Sequence, residues 1–282
     1  MELKSYKKAS EIPKKYLASL VDAEIECWGS RPFDEYKICT NPNCKAIFSI
    51  EDIYETVANY INRINDELAK NFKCSCCNSK TELIYEKNKF LEIIKEYIKG
   101  EVSRVLLIDD NERVEGFGVL SKTNLSGAIN YEFATRPASY DKEELLKSLS
   151  KELFGTEDAG EEQISLLHQI YVSHLYRGTG FGKQILNSIL EFNGNDNIPI
   201  LLETRYDSEF YPISKTLGFK NIMNDKYGYT CQYIPKKDYF ILANKPTILK
   251  EISAKFSFYK KEALEILSLN NSFLTQKFYI SN

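Results

Sequence analysis

The chain has 282 residues, 43% hydrophobic and 27% charged, a composition that supports a packed core and does not indicate disorder. Lysine and arginine total 37 against 40 acids, a formal net charge of −3, which argues against a general nucleic-acid binder but leaves room for a local basic patch. No apolar run reaches the roughly 18 residues of a membrane span.

The opening MELKSYKKASEIPKKY carries lysines but no apolar stretch of the secretory type, and the predicted location is the cytoplasm. Residues 10–27 read as a helix capped by Ser10, with Leu17, Leu20, Val21 and Ile25 as its apolar stripe. GSRPFDEY breaks that pattern. The seven cysteines of the chain are an odd count, better suited to thiols or metal ligands than to disulfides. Cys27 and Cys231 stand alone and read as small buried hydrophobes.

The other five lie between Cys39 and Cys77. Cys39-x4-Cys44 and Cys74-x2-Cys77 form two short chelating pairs, and four thiolates select zinc. Cys76 is a spare, or an alternative to Cys77. A fully occupied four-cysteine site leaves no open position, so the predicted Zn2+ is structural. A helix at about 51–71 (Ile53, Val57, Tyr60, Ile61, Ile64) bridges the pairs. A third helix, about 85–99, carries Phe90, Leu91, Ile94 and Tyr97, with Gly100 closing it.

After Gly100 the texture changes. Val105–Ile108 and Val114–Leu120 read as a hairpin turned by Asp-Asp-Asn-Glu. Residues 121–160 resist assignment apart from an amphipathic helix in YDKEELLKSLSKELFG. A strand follows at 163–173, then Arg177-Gly-Thr-Gly-Phe-Gly182 opening a helix. IPILLETR has the near-continuous apolar pattern of an interior strand. FYPISKTLGF reads as a short helix ended by Gly218, and YGYTCQYI as a late strand. In the tail, Pro246 opens a predicted helix with Ile248, Ile252, Phe256, Tyr259, Ala263 and Ile266 on one side; its lysines form a solvated face or a partner surface. The predicted organisation is 1–38 a helical segment, 39–83 a zinc-binding module, 84–236 the main domain and 237–282 a helical extension.

Gly178, Gly180 and Gly182 fit neither the spacing of a Walker A loop nor that of a dinucleotide fingerprint. Glycines do let a ligand approach the backbone, and the helix they open offers unpaired amides and a positive dipole end. With Arg177 and Lys183 alongside, the stretch reads as a pyrophosphate cradle.

Arg177-Gly-Thr-Gly180-Phe-Gly182 resembles the R/Q-x-x-G-x-G/A motif of the GNAT superfamily of N-acetyltransferases. The order of elements over about 101–236 and the Leu217-Gly218-Phe219 ending resemble that family too. The resemblance implies an α/β fold: a mixed, mostly antiparallel twisted sheet flanked by helices, with the cysteine module added near the amino end. It implies acetyl-CoA on Arg177, Gly178, Thr179, Gly180, Phe181, Gly182 and Lys183, with main-chain groups of Ile170, Tyr171 and Val172 along the cofactor arm. The implied reaction is transfer of an acetyl group to a primary amine. Direct attack in a ternary complex is expected, since no cysteine lies in the strand-to-motif region to act as a relay.

Such transfer needs a base, carbonyl polarisation and a way to accommodate the leaving thiolate. His168, nine residues before Arg177, matches a histidine base in related enzymes, and imidazole suits proton transfer near neutral pH. The alternative is a histidine satisfied on the sheet face, with Glu203 as reserve base. His174 reads as a loop residue. The family's acid tyrosine slot holds Ser214 here. Tyr211, one helical turn earlier, is the nearest tyrosine, as acid or as packing. These departures keep open a silent acyl-CoA-binding domain whose zinc module engages a protein or nucleic-acid partner. The acceptor is not named by the sequence, and mild acidity disfavours tRNA.

Overall fold

The computed structural model describes residues 1–55, 59–60, 67–97, 102–134, 141–194, 198–224 and 229–235. Gly100 and the tail predicted to be helical, 237–282, lie outside these residues. The chain opens with a strand that the sequence reading missed, β1 (Glu2–Tyr6). Helix α1 spans Lys14–Gly29 and starts later than predicted, because Ser10 belongs to a separate 3-10 turn, Ala9–Glu11. Pro13 sets the boundary. It disfavours helical backbone at Ile12, which is extended (ψ 122°), while its carbonyl accepts from the Tyr16 amide at 3.0 Å.

Next come β2 (Lys37–Cys39), β3 (Ile47–Phe48), helix α2 (Ile50–Ile53), helix α3 (Glu67–Asn71) and β4 (Thr81–Leu83). The three strands form a small antiparallel sheet in the order β3-β2-β4. The predicted continuous helix over 51–71 is therefore corrected. A reciprocal cap between Ser49 and Asp52 starts α2, which ends at Ile53, and Tyr54 leaves helical geometry (ψ 68°). Val57, Ile61 and Ile64 lie outside the described residues. Helix α4 (Lys87–Tyr97) buries Phe90 and Ile94 as its stripe predicts.

The hairpin is longer than predicted, β5 (Val102–Ile108) and β6 (Val114–Asn124). Its turn is organised by Asp109, whose carboxylate accepts from the amides of Asn111 and Arg113. Helix α5 (Leu125–Ala134), strand β7 (Gln163–Val172) and helix α7 (Phe181–Gly194) flank or follow helix α6 (Lys142–Phe154). Asp141 caps α6 and Gly155 closes it at φ 75°. β8 (Ile200–Arg205), α8 (Phe210–Thr216), β9 (Lys220–Asn224) and β10 (Tyr229–Ile234) complete the described chain.

Hydrogen bonding links seven strands in the order β1-β5-β6-β7-β8-β10-β9. The fold is mixed α/β. Its recorded ladders are antiparallel except β7 with β8, which run parallel. The chain divides into two compact units. Among the described residues, one holds those of Met1–Val119 and Gln169–Ile189; the other holds those of Leu120–His168 and those from Leu190 to residue 235.

In the first unit, Leu20, Val21 and Ile25 of α1 pack with Leu106, Phe117, Val119 and Tyr171. Strand β6 alternates here. Phe117 and Val119 face that core, while Gly116 and Gly118 face α7. A Cβ on Gly118 would lie 2.8 Å from Ile185, so only glycine admits the helix this close. In the second unit, Leu125, Ala128, Leu145, Leu149, Leu166 and Leu201 form a separate core that includes fully buried Cys231. No helix among the described residues is long and apolar enough to cross a membrane.

Candidate functional site

Strand β7 ends at Val172, a 3-10 turn covers His174–Tyr176, and α7 starts at Phe181. Gly178 and Gly180 between them hold φ of 76° and 90°, a left-handed region costly to residues with a side chain. A Cβ on either would meet nothing within 4 Å. Backbone conformation thus requires the glycines, and the space above them is open. The first helical hydrogen bond recorded for α7 runs from Gln184 N–H to Gly180 O at 3.2 Å. The amides of Phe181, Gly182 and Lys183 precede it, at the positive end of a 14-residue helix. Lys183 is exposed. Such a strand–turn–helix unit can hold a phosphate or pyrophosphate.

Arg177 is turned inward rather than extended from the rim. Its Nε donates to the Val172 carbonyl at 3.1 Å, and Nη1 lies 3.9 Å from Glu51 Oε1. His174 donates from Nε2 to the same Glu51 oxygen at 2.5 Å, which puts the proton on that nitrogen. Arg31 N–H adds a bond to Glu51 at 3.3 Å. Burial pushes the Glu51 carboxyl up, but His174 and the main-chain amides outweigh it and hold the group below its ordinary 4.5. Tyr60 stands edge-on to His174 at 5.4 Å. The Tyr60 and Tyr171 hydroxyls both donate to Glu26 Oε2, at 2.7 and 2.9 Å. Burial, then the Glu26 charge, push the Tyr171 hydroxyl well up, so it stays a neutral donor. Ile170, Tyr171 and Val172 therefore sit on a strand where the Tyr171 hydroxyl and the Val172 carbonyl are tied down.

Sequence reasoning missed Glu51, Glu26 and Tyr60. The Ser49-x-x-Asp52 capping box marked the start of Glu51's helix, but nothing local marked its partner 123 residues away.

In the second unit, the parallel ladder pairs Ser165–Leu167 with Ile200–Leu202. His168 and Glu203 are the first residues past its end. His168 Nε2 is 2.7 Å from Ser121 Oγ, and Glu203 lies opposite Cys231. Tyr211 is fully buried against Tyr206, and its hydroxyl accepts from Asn221 at 3.1 Å. Ser214, in the tyrosine slot, donates to Gln232 Oε1 at 2.7 Å and to the Tyr211 carbonyl.

Cys39, Cys44, Cys74 and Cys77 converge, with all four sulfurs within 4.8 Å of one another. Cys39–Cys77 is 3.5 Å and Cys44–Cys74 3.6 Å. Sulfurs about 2.3 Å from a tetrahedral zinc stand roughly 3.8 Å apart, so the quartet fits such an ion. Lys45 and Asn78 turn the knuckles at φ 50° and 58°. Hydrogen bonds from the Ser79 hydroxyl and amide hold Cys77 down to about 6. The Ala46 amide favours the Cys44 thiolate, yet burial and the neighbouring sulfurs push that thiol up to about 12. Four thiolates this close need a cation to ionise together. Cys76 is exposed and outside the quartet.

No protein-family model and no curated protein matches the chain. Solved structures overlap it loosely. PH1933 from Pyrococcus horikoshii OT3 shares 16% identity at a TM-score of 0.42, covering 82% of this chain and 97% of its own. The PaiA N-acetyltransferase of Thermoplasma acidophilum, in complex with coenzyme A, shares 12% at 0.39, covering 83% and 98%. AtaTR bound with AcCoA shares 14% at 0.37, covering 55% and 83%.

Proposed function

We propose that this chain is an acetyl-CoA-dependent N-acetyltransferase acting on a primary amine. One observation carries the reading: a strand–turn–helix loop with two open left-handed glycines and the amide end of a 14-residue helix at the start of α7. The loop has the chemistry of a diphosphate cradle, and its sequence resembles the acetyltransferase motif. In this reading the amides of 178–183 and Lys183 hold the coenzyme A diphosphate, while the main chain of Ile170–Val172 aligns the pantetheine. The amine nitrogen attacks the thioester carbonyl and gives its proton to His168, with Glu203 as the reserve base. The C–S bond then breaks, and the thiolate leaves as free coenzyme A after taking a proton, with Tyr211 the candidate donor. Zn2+ held by Cys39, Cys44, Cys74 and Cys77 would supply a cross-link to the small sheet and take no part in the transfer.

Calorimetry with acetyl-CoA tests the binding step. Release of free thiol over a panel of amines tests turnover. A second reading, an acyl-CoA-binding domain without turnover, is favoured by the buried Tyr211 hydroxyl and by Ser214 in the acid slot. Saturable acetyl-CoA binding with no thiol release on any amine would select it.

A further inference from the structure

The small sheet β3-β2-β4 has two faces that alternate along each strand. On one, Cys39 and Phe48 are buried with Cys74, and Phe48 packs edge-on to Phe72 at 5.1 Å. On the other, a cross-strand row runs Ile47–Ile38–Glu82, set by the pairs Ile38–Ile47 and Ile38–Glu82. Ile47 is 52% exposed, more than any other large hydrophobic side chain among the described residues. The row opens into a groove of about 810 Å³ that continues over Ile84 and Tyr85. Glu35, Glu82 and Glu86 line the same groove. Among the described residues lining it, the one base is Lys87, which is neutralised by Asp22 at 2.8 Å. Glu86 meets Lys89 at 3.2 Å, an exposed pair of little worth.

An apolar floor with a carboxylate rim selects its occupant. Nucleic acid and anionic membrane surfaces are repelled by the rim. A small amine would leave most of the floor wet. We infer that this groove docks a lysine- or arginine-rich polypeptide segment that lays an aliphatic side chain over Ile38 and Ile47. The apolar contact supplies affinity, and the rim supplies steering and selection against acidic segments. The cysteine sulfurs lie on the opposite face, so metal loading leaves the groove open. The inference stands apart from acetyl transfer.

The test is fluorescence anisotropy on the full, zinc-loaded chain. The probe is a short labelled peptide with two leucines flanked by lysines, and acetyl-CoA is omitted. Saturable binding is expected, weakened about tenfold by Ile47→Asp and by the double change Glu82→Lys, Glu86→Lys. A matched peptide with glutamates in place of lysines is expected not to bind. All three positions are exposed, so metal content and melting should be unchanged. Absence of saturable binding overturns the inference. So does an affinity that Ile47→Asp leaves intact, which would reduce the effect to general charge attraction. Because no cofactor is present, neither result bears on the transferase reading.

Discussion

The imidazole of His174 donates to the carboxylate of Glu51 at 2.5 Å across 123 residues of sequence. The bond fastens α2, which follows β3 of the small sheet, to the turn that leads into the glycine loop. Arg177 lies 3.9 Å from the same oxygen. Glu51→Ala removes both attachments. A hydrogen bond to a charged group is worth about 1.5–3 kcal/mol. Transmission of part of that to the loop should weaken acetyl-CoA binding about tenfold by calorimetry. The pH dependence has a definite sign. The folded Glu51 carboxyl lies below its ordinary 4.5, so its stabilisation is complete above that value and fades as pH falls below it. Wild type and Glu51→Ala should therefore differ in melting at neutral pH and converge in acid.

Gly180→Ala places a side chain on a residue at φ 90°, where a Cβ would touch nothing. The expected stability cost is the backbone term alone, about 1–2 kcal/mol. The expected loss of acetyl-CoA affinity is larger, at least about tenfold, because the added methyl would stand where the proposed diphosphate site lies. Gly155→Ala is the control. Gly155 has φ 75° and the same open surroundings, but it caps α6. Similar melting shifts with cofactor loss in Gly180→Ala alone are the outcome expected from the paired measurement.

The loop was readable in the sequence because its signals are local: alternate glycines, flanking cations and a helical stripe within one short stretch. The cysteine quartet was readable for the same reason, as two short pairs. What escaped was either too short or too distant. β2, β3 and β4 are two or three residues long, below the length at which alternation is visible. β1 joins β5 from Glu2↔Ile108 to Tyr6↔Arg104, yet its lysine-rich sequence gives little strand signal. Glu24 and Glu26 sit on α1 among apolar residues and are buried. Their partners, Arg104 for one and Tyr60 and Tyr171 for the other, come from far along the chain. Pro13 is visible in the sequence, and it delays α1 past Ser10, the residue whose side chain reads as the cap.

His168 and Glu203, the two bases proposed above, both follow the end of the parallel ladder. His168→Gln should lower kcat/KM by about 10²–10⁴ and remove the imidazole limb of the pH–rate profile. Ser121→Ala, which removes the partner 2.7 Å from Nε2, should have a smaller effect and keep that limb. Retention of the limb in His168→Gln together with its loss in Glu203→Gln would transfer the role to the carboxylate. For the acid, Tyr211→Phe removes only the hydroxyl that Asn221 contacts. A fall in kcat at unchanged melting marks chemistry, whereas a fall in melting alone marks packing.

Arg104 and Glu24 form an ion pair at 2.7 Å, with side chains only 2% and 5% exposed. Arg104→Met leaves a buried carboxylate. Breaking such a pair costs about 3–5 kcal/mol, and the lower end is expected because Gln169 can also donate to Glu24 at 2.8 Å once its amide is turned to suit both neighbours. Urea denaturation should show the loss as a lower midpoint at constant slope. Adding Glu24→Leu should restore much of it, since the isolated charge is then gone.

The cysteine quartet makes the most direct prediction. Sulfurs 3.5 and 3.6 Å apart, all within 4.8 Å, cannot all ionise without a cation between them. Elemental analysis of the purified chain should find zinc in a one-to-one ratio. Cys77→Ser should abolish it, and Cys76→Ser, at the exposed position beside the quartet, should retain it. A strong chelator should release the ion, render the four thiols reactive to a disulfide reagent and lower the melting temperature. The core beneath is small among the described residues, with Phe48 and Phe72 as an aromatic pair, so the short strands have little else to hold them together. Full stability in metal-free protein with reduced cysteines would show that this core suffices without an ion.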